Sequence, residues 1–301
     1  MKGKIRGETI FTILMVFPAL SIYLYFFLYP GLQSFEVSTF KWNGFNPDKI
    51  KRIGLGNFRS LLKDEIFLNA FINNVMIIVF GGIAIMFLGL LFANFLTKDN
   101  VIGKSFFRSM IFFPYSVSIV ALGIVWMFVL NPEFGMVNGI LQAIGLESLQ
   151  RAWLGERGSA MAWIIFVTVW WWIGFMMTLL IAGIQRIPSD YFEAAKIDGA
   201  NDTQVFFKIT LPLLREVLNV AVIYWVISGW MSFGVVYVMT QGGPSNQTHT
   251  MATYMIWESV NYVNGAFRMG YGTAIAVALF ILVVGFTFVY KLFTKKEAVQ
   301  Y

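Results

Sequence analysis

Charge disappears from this chain in long, regularly recurring intervals. No Asp, Glu, Lys or Arg occurs in 9–35, 66–97, 109–132, 158–185, 217–257 or 269–290. A helix needs about 20 apolar residues to cross the hydrocarbon of a bilayer, and every interval exceeds that. Apolar residues fill the intervals continuously instead of alternating, which predicts helices and excludes a transmembrane barrel. Helices are also what lipid accepts, because each closes its own backbone hydrogen bonds. Six spans follow, at about 9–29, 71–96, 108–130, 160–184, 217–239 and 269–290, in one all-α polytopic domain over 1–301. The 217–257 run is too long for one span; Gly242-Gly243-Pro244 divides it into a span and a polar connector.

The polar intervals carry their own signals. Pro30-Gly31 predicts the end of the first span, and Asn43-Gly44 and Asn46-Pro47 mark turns in the loop that follows. Gly54 to Asn69 reads as one amphipathic helix at the interface, with Phe58, Leu61, Leu62 and Phe67 on its apolar side. Residues 185–216 form the longest excursion between the later spans. Pro188 stops the fourth span there, and Asp190 with Glu193 fits a capping box, Asp at N-cap and Glu at N3. Gly199 follows as the residue that tolerates a left-handed helix end. Asn201, Asp202 or Thr203 then caps a second helix running through Phe206 and Phe207 toward Ile209, and Pro212 marks entry into the fifth span.

Composition sharpens this picture. Only 13% of residues are charged, against about 25% in soluble domains, and the mean hydropathy is +0.69. The net charge of +6 is mostly a topology signal. An even number of spans puts both termini on one side, and placing them in the cytoplasm gives the inner segments 13 of the 22 Lys+Arg. Six of the nine outer cations crowd the first outer loop, Lys41, Lys49, Lys51, Arg52, Arg59 and Lys63, against the positive-inside rule. The basic start followed by an apolar run resembles a signal peptide, but the run is too long and lacks a clean cleavage site, so it reads as an uncleaved first span.

Several chemistries are excluded. The chain has no cysteine, hence no disulfide and no thiolate metal site. Gly103-Lys104-Ser105 resembles the end of a phosphate-binding loop, but Lys98 stands where the first glycine is required and the segment lies beside a span. His249 is the one histidine and reads as a polar loop residue, with no metal site. The spans hold no acid or histidine of the kind that ion-coupled carriers keep there. A path lined by neutral polar and aromatic groups suits an uncharged ligand.

Glu193-Ala194-Ala195, Gly199, Ile209 and Leu211-Pro212 stand at the spacing of the EAA loop. With Ile197-Asp198-Gly199-Ala200, Gly54-Leu55-Gly56-Asn57-Phe58, Asn73-Asn74 and Thr240-Gln241-Gly242-Gly243-Pro244, the chain resembles permease subunits of binding-protein-dependent ABC sugar importers, of the maltose and glycerol-phosphate type. The resemblance implies a transport subunit, not an enzyme, in a bacterial or archaeal cytoplasmic membrane. It implies a second permease, a cytoplasmic ATPase dimer that alone binds ATP and Mg, and an extracytoplasmic binding protein, with no cofactor in this chain and no nucleic-acid partner. The coupling residues would be Glu193, Ala194, Ala195, Asp198, Gly199, Ile209, Leu211 and Pro212. Sugar-contact positions would fall at Thr168, Trp171, Trp172, Phe175, Trp225, Gly229 and Ser232. Gly229 and Ser232 replace amide side chains of the maltose type, which argues against maltose itself, and Gly229 also fits a helix-packing role. The alternatives are an ATP-independent secondary carrier and a membrane scaffold.

Overall fold

The computed structural model describes residues 2–98, 101–260 and 267–294. Helix α1 covers 2–37, α-helical over Lys2–Tyr23 and Tyr29–Val37 and π-helical over Leu24–Leu28 between them. The helix thus passes through Pro30-Gly31, where a stop was expected. Pro30 falls in the first turn after the π segment, whose wider turn suits a residue that has no N–H to donate. A short antiparallel hairpin follows, β1 (Phe40–Lys41) pairing with β2 (Lys51–Arg52).

The interfacial helix expected over Gly54–Asn69 is two helices. Helix α2 (Gly56–Leu61) ends in a turn through Asp64, and α3 (Glu65–Thr97) begins the second span six residues before the expected start at 71. Leu61 and Phe67 are buried, whereas Leu62 is 73% exposed.

The third span is not one straight helix. It is α4 (Lys104–Ser116) and α5 (Ile119–Val129), bent by 95°. Pro114 removes a donor from the last turn of α4, and the Ser116 hydroxyl donates to the Phe113 carbonyl at 2.7 Å. Val117 then turns extended, which ends the helix inside an apolar run.

Helix α6 (Met136–Ala143) lies in the next connection and α7 (Arg157–Ile184) is the fourth span. Helices α8 (Ser189–Ile197) and α9 (202–213, π-helical over Phe206–Thr210) build the long excursion. The fifth span is α10 (Arg215–Trp230) and α11 (Gly234–Met239), interrupted at residues 231–233. The connector expected to be merely polar holds a helix, α12 (Met251–Val260), before α13 (Met269–Thr294) closes the fold. Among the described residues, five helices are long and apolar enough to cross a membrane, and the bent α4–α5 pair makes six. Lys295 and Lys296, counted above toward the inner side, lie outside the described residues.

The chain packs as two units. One takes the residues up to Asp64 and those from Met255 to Phe280. There Gly270 donates to the Trp42 carbonyl at 3.0 Å, and a Cβ at Gly270 would lie 2.0 Å from the Phe40 carbonyl oxygen, so backbone meets backbone. The other takes Glu65–Tyr254 and the residues from Ile281 on. Its centre is α7, whose Ile164, Met176, Met177 and Leu180 are wholly buried. Gly174 lets the α4 backbone press onto α7: a Cβ there would stand 2.5 Å from Phe112 Cα. Small residues at such crossings are how membrane helices gain packing where lipid supplies no hydrophobic drive.

Candidate functional site

The excursion between α7 and α10 is a stapled pair of helices. Pro188, extended at ψ 138, is the N-cap of α8, and no side chain caps it. Asp190 and Glu193 therefore sit at the second and fifth helical positions, and the expected capping box is absent. Proline has no backbone N–H for Glu193 to accept from, and it starts the helix two residues early. The Glu193 carboxylate is exposed and has no partner among the described residues. The other end behaves as expected. Gly199 adopts φ +75, its N–H donates to the Lys196 carbonyl, and Ala200 N–H donates to the Ala195 carbonyl, a complete Schellman closure.

Asn201 caps α9 in a true capping box. Its side chain accepts from Gln204 N–H at 2.9 Å, and the Gln204 side chain accepts from Asn201 N–H at 2.9 Å. Tyr191, Ala195, Asp198, Gly199, Lys208 and Ile209 surround a shared concavity of about 460 Å³. Ile197 and Phe207 stand out at 86% and 60% exposure, an apolar surface unexplained by packing within this chain. Leu211 is half-buried and Pro212 exposed on the last turn of α9. A hydrogen bond from the Lys98 ammonium, 2.5 Å from Asp202 Oδ2, holds that carboxyl below its ordinary pKa and ties the end of α3 to the start of α9.

Within the spans, a cavity of about 280 Å³ gathers six of the seven expected path residues, Thr168, Trp171, Trp172, Trp225, Gly229 and Ser232. Phe175 does not line it. That ring stacks one turn away on Tyr115 (5.2 Å) and Tyr224 (5.2 Å) in an aromatic cluster that also holds Trp171 and Trp172. Among the described residues no ionisable side chain lines the cavity.

Several of these groups are already committed. Trp225 is 2% exposed, donates its indole N–H to the Ile78 carbonyl at 2.9 Å, and lies flat on Gly81 and Gly82, where a Cβ would approach to 2.7 and 2.8 Å. The Ile78 carbonyl, in the π-helical turn Ile77–Gly81 of α3, also accepts from Gly82 N–H, so the indole is its second donor. Trp171 donates to the Val117 carbonyl at 3.1 Å, the extended point of the third span. Thr168 donates back to Ile164. Gly229 packs against Ile78, with 2.4 Å left for a Cβ, which is the packing role. The hydroxyls of Ser228 and Ser232 line the cavity and have no partner among the described residues.

Sequence reasoning did not identify what holds the cavity's rim. Asn74, wholly buried, donates to the carbonyls of Gly229 (2.7 Å) and Trp230 (3.1 Å) and accepts from Met251 N–H (2.8 Å). Asn73 donates to the carbonyls of Gln247 and His249, both at 2.8 Å. Thr250 donates to the Ser232 carbonyl at 2.6 Å. Together they satisfy the loose ends of α10 and α12 at the interruption in the fifth span. The one available signal was the adjacent Asn73-Asn74 inside an apolar helix, where unpaired amides would be costly. His249, expected as a polar loop residue, is 1% exposed, and burial pushes its imidazole down to about 4. Its ring lies on Gly242. Among the described residues no group of His, Asp and Glu could hold a metal. Gly103 precedes α4 and follows helix α3, not a strand.

The profile of a family described as "Binding-protein-dependent transport system inner membrane component" matches residues 85–299. The probable ABC transporter permease protein YurN of Bacillus subtilis (strain 168) is 36% identical over 296 residues, 97% of this chain and 98% of that one. The trehalose/maltose transport system permease protein MalF of Thermococcus litoralis is 35% identical over 278 residues, 92% and 91% of the two chains. The diacetylchitobiose uptake system permease protein NgcF of Streptomyces coelicolor is 35% identical over 270 residues, 86% of this chain and 75% of that one. The fold is similar to that of a chain in the crystal structure of a bacterial alginate ABC transporter in complex with an alginate pentasaccharide-bound periplasmic protein. The TM-score is 0.81, with 20% identity, over 97% of this chain and 96% of that one.

Proposed function

Because the chain belongs to the family of binding-protein-dependent transport inner-membrane components, we propose that it carries an uncharged oligosaccharide or related polyol through the cavity at Trp171, Trp172 and Ser232. The observation behind this reading is the character of that cavity: indole walls, free serine hydroxyls and no ionisable group. Aromatic faces stack on the apolar faces of sugar rings, while hydroxyls exchange hydrogen bonds with sugar hydroxyls. A charged solute would lose its hydration here and find no counter-ion. The volume of about 280 Å³ lies at the small end of ligand sites, about 300–1,000 Å³. One chain then supplies only part of the path, and a second permease completes it. Trehalose, maltose and diacetylchitobiose, named for two of the relatives, belong to this class.

Energy enters at α8 and α9. The exposed Glu193 carboxylate, with Ile197 and Phe207 beside it, is the surface on which a cytoplasmic ATPase dimer seats; ATP and Mg bind in that partner. Displacement of this pair on ATP binding alternates access to the cavity, the rocking of rigid bundles expected of carriers. An extracytoplasmic binding protein delivers the solute. Both termini then face the cytoplasm.

Tagged chain purified from its native membrane, with its partners identified by mass spectrometry and reconstituted in vesicles, tests the reading. Uptake of labelled neutral oligosaccharide is expected, with its loss in Trp172→Ala and loss of the ATPase in Glu193→Lys. Uptake of a charged solute in preference would overturn the uncharged-substrate reading, and purification without an ATPase would overturn the ATP-driven one in favour of a secondary carrier or scaffold.

A further inference from the structure

The loop between α1 and α3 carries the six cations that break the positive-inside rule, and its construction gives them a use. The loop is held in shape. β1 pairs with β2, Ile53 N–H donates to the Thr39 carbonyl, and the buried Asn57 amide donates to the carbonyls of Ser38 (2.8 Å) and Phe40 (2.9 Å). Lys41, Lys49, Lys51, Arg52, Arg59 and Lys63 are all exposed, and none forms an ion pair among the described residues. Two carboxylates accompany them between residues 38 and 64, Asp48 and Asp64, and the second accepts the Tyr271 hydroxyl at 2.5 Å. Six positive against two negative groups leave a local charge of +4.

Large apolar side chains are interleaved with these cations and equally bare: Phe45 at 66% exposure, Leu55 at 63%, Leu62 at 73% and Ile50 at 43%. Leu55, Arg59 and Leu62 follow one another at spacings of four and three along α2 and its ends, the spacing of one helical face. Both ends of the loop run directly into candidate spanning helices, Phe11–Val37 and Glu65–Thr97, so the loop emerges on the headgroup side of the bilayer. Alternating bare cations and bare apolar groups at that depth match the chemistry of an anionic lipid interface. Ammonium and guanidinium groups reach phosphates while leucine and phenylalanine enter the acyl boundary.

We propose that residues 41–63 are a binding surface for anionic phospholipid, with phosphodiester headgroups neutralising Lys49, Lys51, Arg52, Arg59 and Lys63. The proposal is independent of which solute the cavity takes. An acidic protein surface is the competing occupant, and the test separates the two.

The thermal unfolding midpoint of the detergent-purified transporter is measured with added phosphatidylglycerol or phosphatidylcholine, at low and high salt. The expected result is a rise with phosphatidylglycerol alone, diminished by salt and lost in a variant carrying Lys49→Gln, Lys51→Gln, Arg52→Gln, Arg59→Gln and Lys63→Gln. That variant's lipid-free midpoint should equal wild type, since all five side chains are exposed. Native mass spectrometry of the wild-type protein alone, counting retained phosphatidylglycerol against phosphatidylcholine, decides the matter if the variant does not fold. An equal response to both lipids, or a full response in the variant, overturns the proposal. So does a variant with an intact lipid response that loses only stimulation by the solute-binding protein.

Discussion

Asn74 offers the sharpest test of how the cavity is held. Its amide serves three backbone groups at once: the Gly229 and Trp230 carbonyls at the end of α10 and the Met251 N–H at the start of α12. Leucine has nearly the same size and none of the polarity. In Asn74→Leu the Gly229 carbonyl keeps a second, longer bond from Ser232 N–H at 3.3 Å. The Trp230 carbonyl and the Met251 N–H lose the asparagine with no water to replace it, because Asn74 is wholly buried. An orphaned buried backbone group costs about 1–3 kcal/mol, so the pair costs about 2–6 kcal/mol. Asn74→Asp should be no better, since it presents a carboxylate to two carbonyls and keeps only the acceptor for Met251. The assay is the unfolding midpoint of the purified transporter, paired with uptake in vesicles. Both variants should melt lower and transport less. An Asn74→Leu protein that melts and transports like wild type would refute the reasoning, because the three distances would then carry no energy.

Four further outcomes follow from the same structure. Gly199→Ala meets nothing within 4 Å but must hold φ +75, so it should cost about 1–2 kcal/mol of local strain and lower the ratio of transport to ATP hydrolysis without loss of the folded protein. Trp225→Ala should cost about 3–5 kcal/mol by opening a hole in the core and so lose fold and uptake together, whereas Trp172→Ala, where the ring is half-buried against Tyr115, Phe175 and Tyr224, should melt less far below wild type and lose uptake out of proportion to that change. His249 has a folded pKa near 4 against 6.5 when unfolded, so the neutral ring is the folded form. Its stabilisation is complete above about pH 6.5 and falls by up to about 3 kcal/mol as pH drops toward 4; His249→Gln should flatten that part of the melting curve against pH. Gly242→Ala would set a methyl 2.1 Å from the His249 ring and should destabilise the connector, read as faster proteolysis between residues 240 and 250.

The helical spans were legible because lipid imposes one rule on every residue of an interval. Their interruptions were not. Pro30 sits in a helix that continues and Pro114 in one that bends by 95°, and the two look alike in sequence. What separates them is a π turn ahead of the first and the extended Val117 after the second. Around the cavity, the spacing of Trp225, Gly229 and Ser232 put them on one face, and the fold brings them to one cavity with Thr168, Trp171 and Trp172. Phe175 shares the face of α7 but is taken by Tyr115 and Tyr224, partners on other helices. Asn74 meets residues 155 to 177 positions away, and no local pattern announces such a contact. The capping box was expected at the wrong helix: Asp190 and Glu193 have the right spacing, but Pro188 sets the register, and Asn201 with Gln204 makes the box instead.

The two closures at residues 199–204 have a mechanical meaning. A Schellman turn ends α8 and a capping box begins α9 with only Gly199 and Ala200 between them. The corner therefore has almost no slack. A connection of that kind works as a bell-crank: it changes the direction of a push without shortening the stroke. On the proposed docking at Glu193, a push there would reach Leu214 and the foot of α10, and a sideways share would pass through Lys98 to α3, the two helices that Asn74 also joins. The give would then lie in the spans themselves, at the interrupted fifth and the bent third, both of which border the cavity.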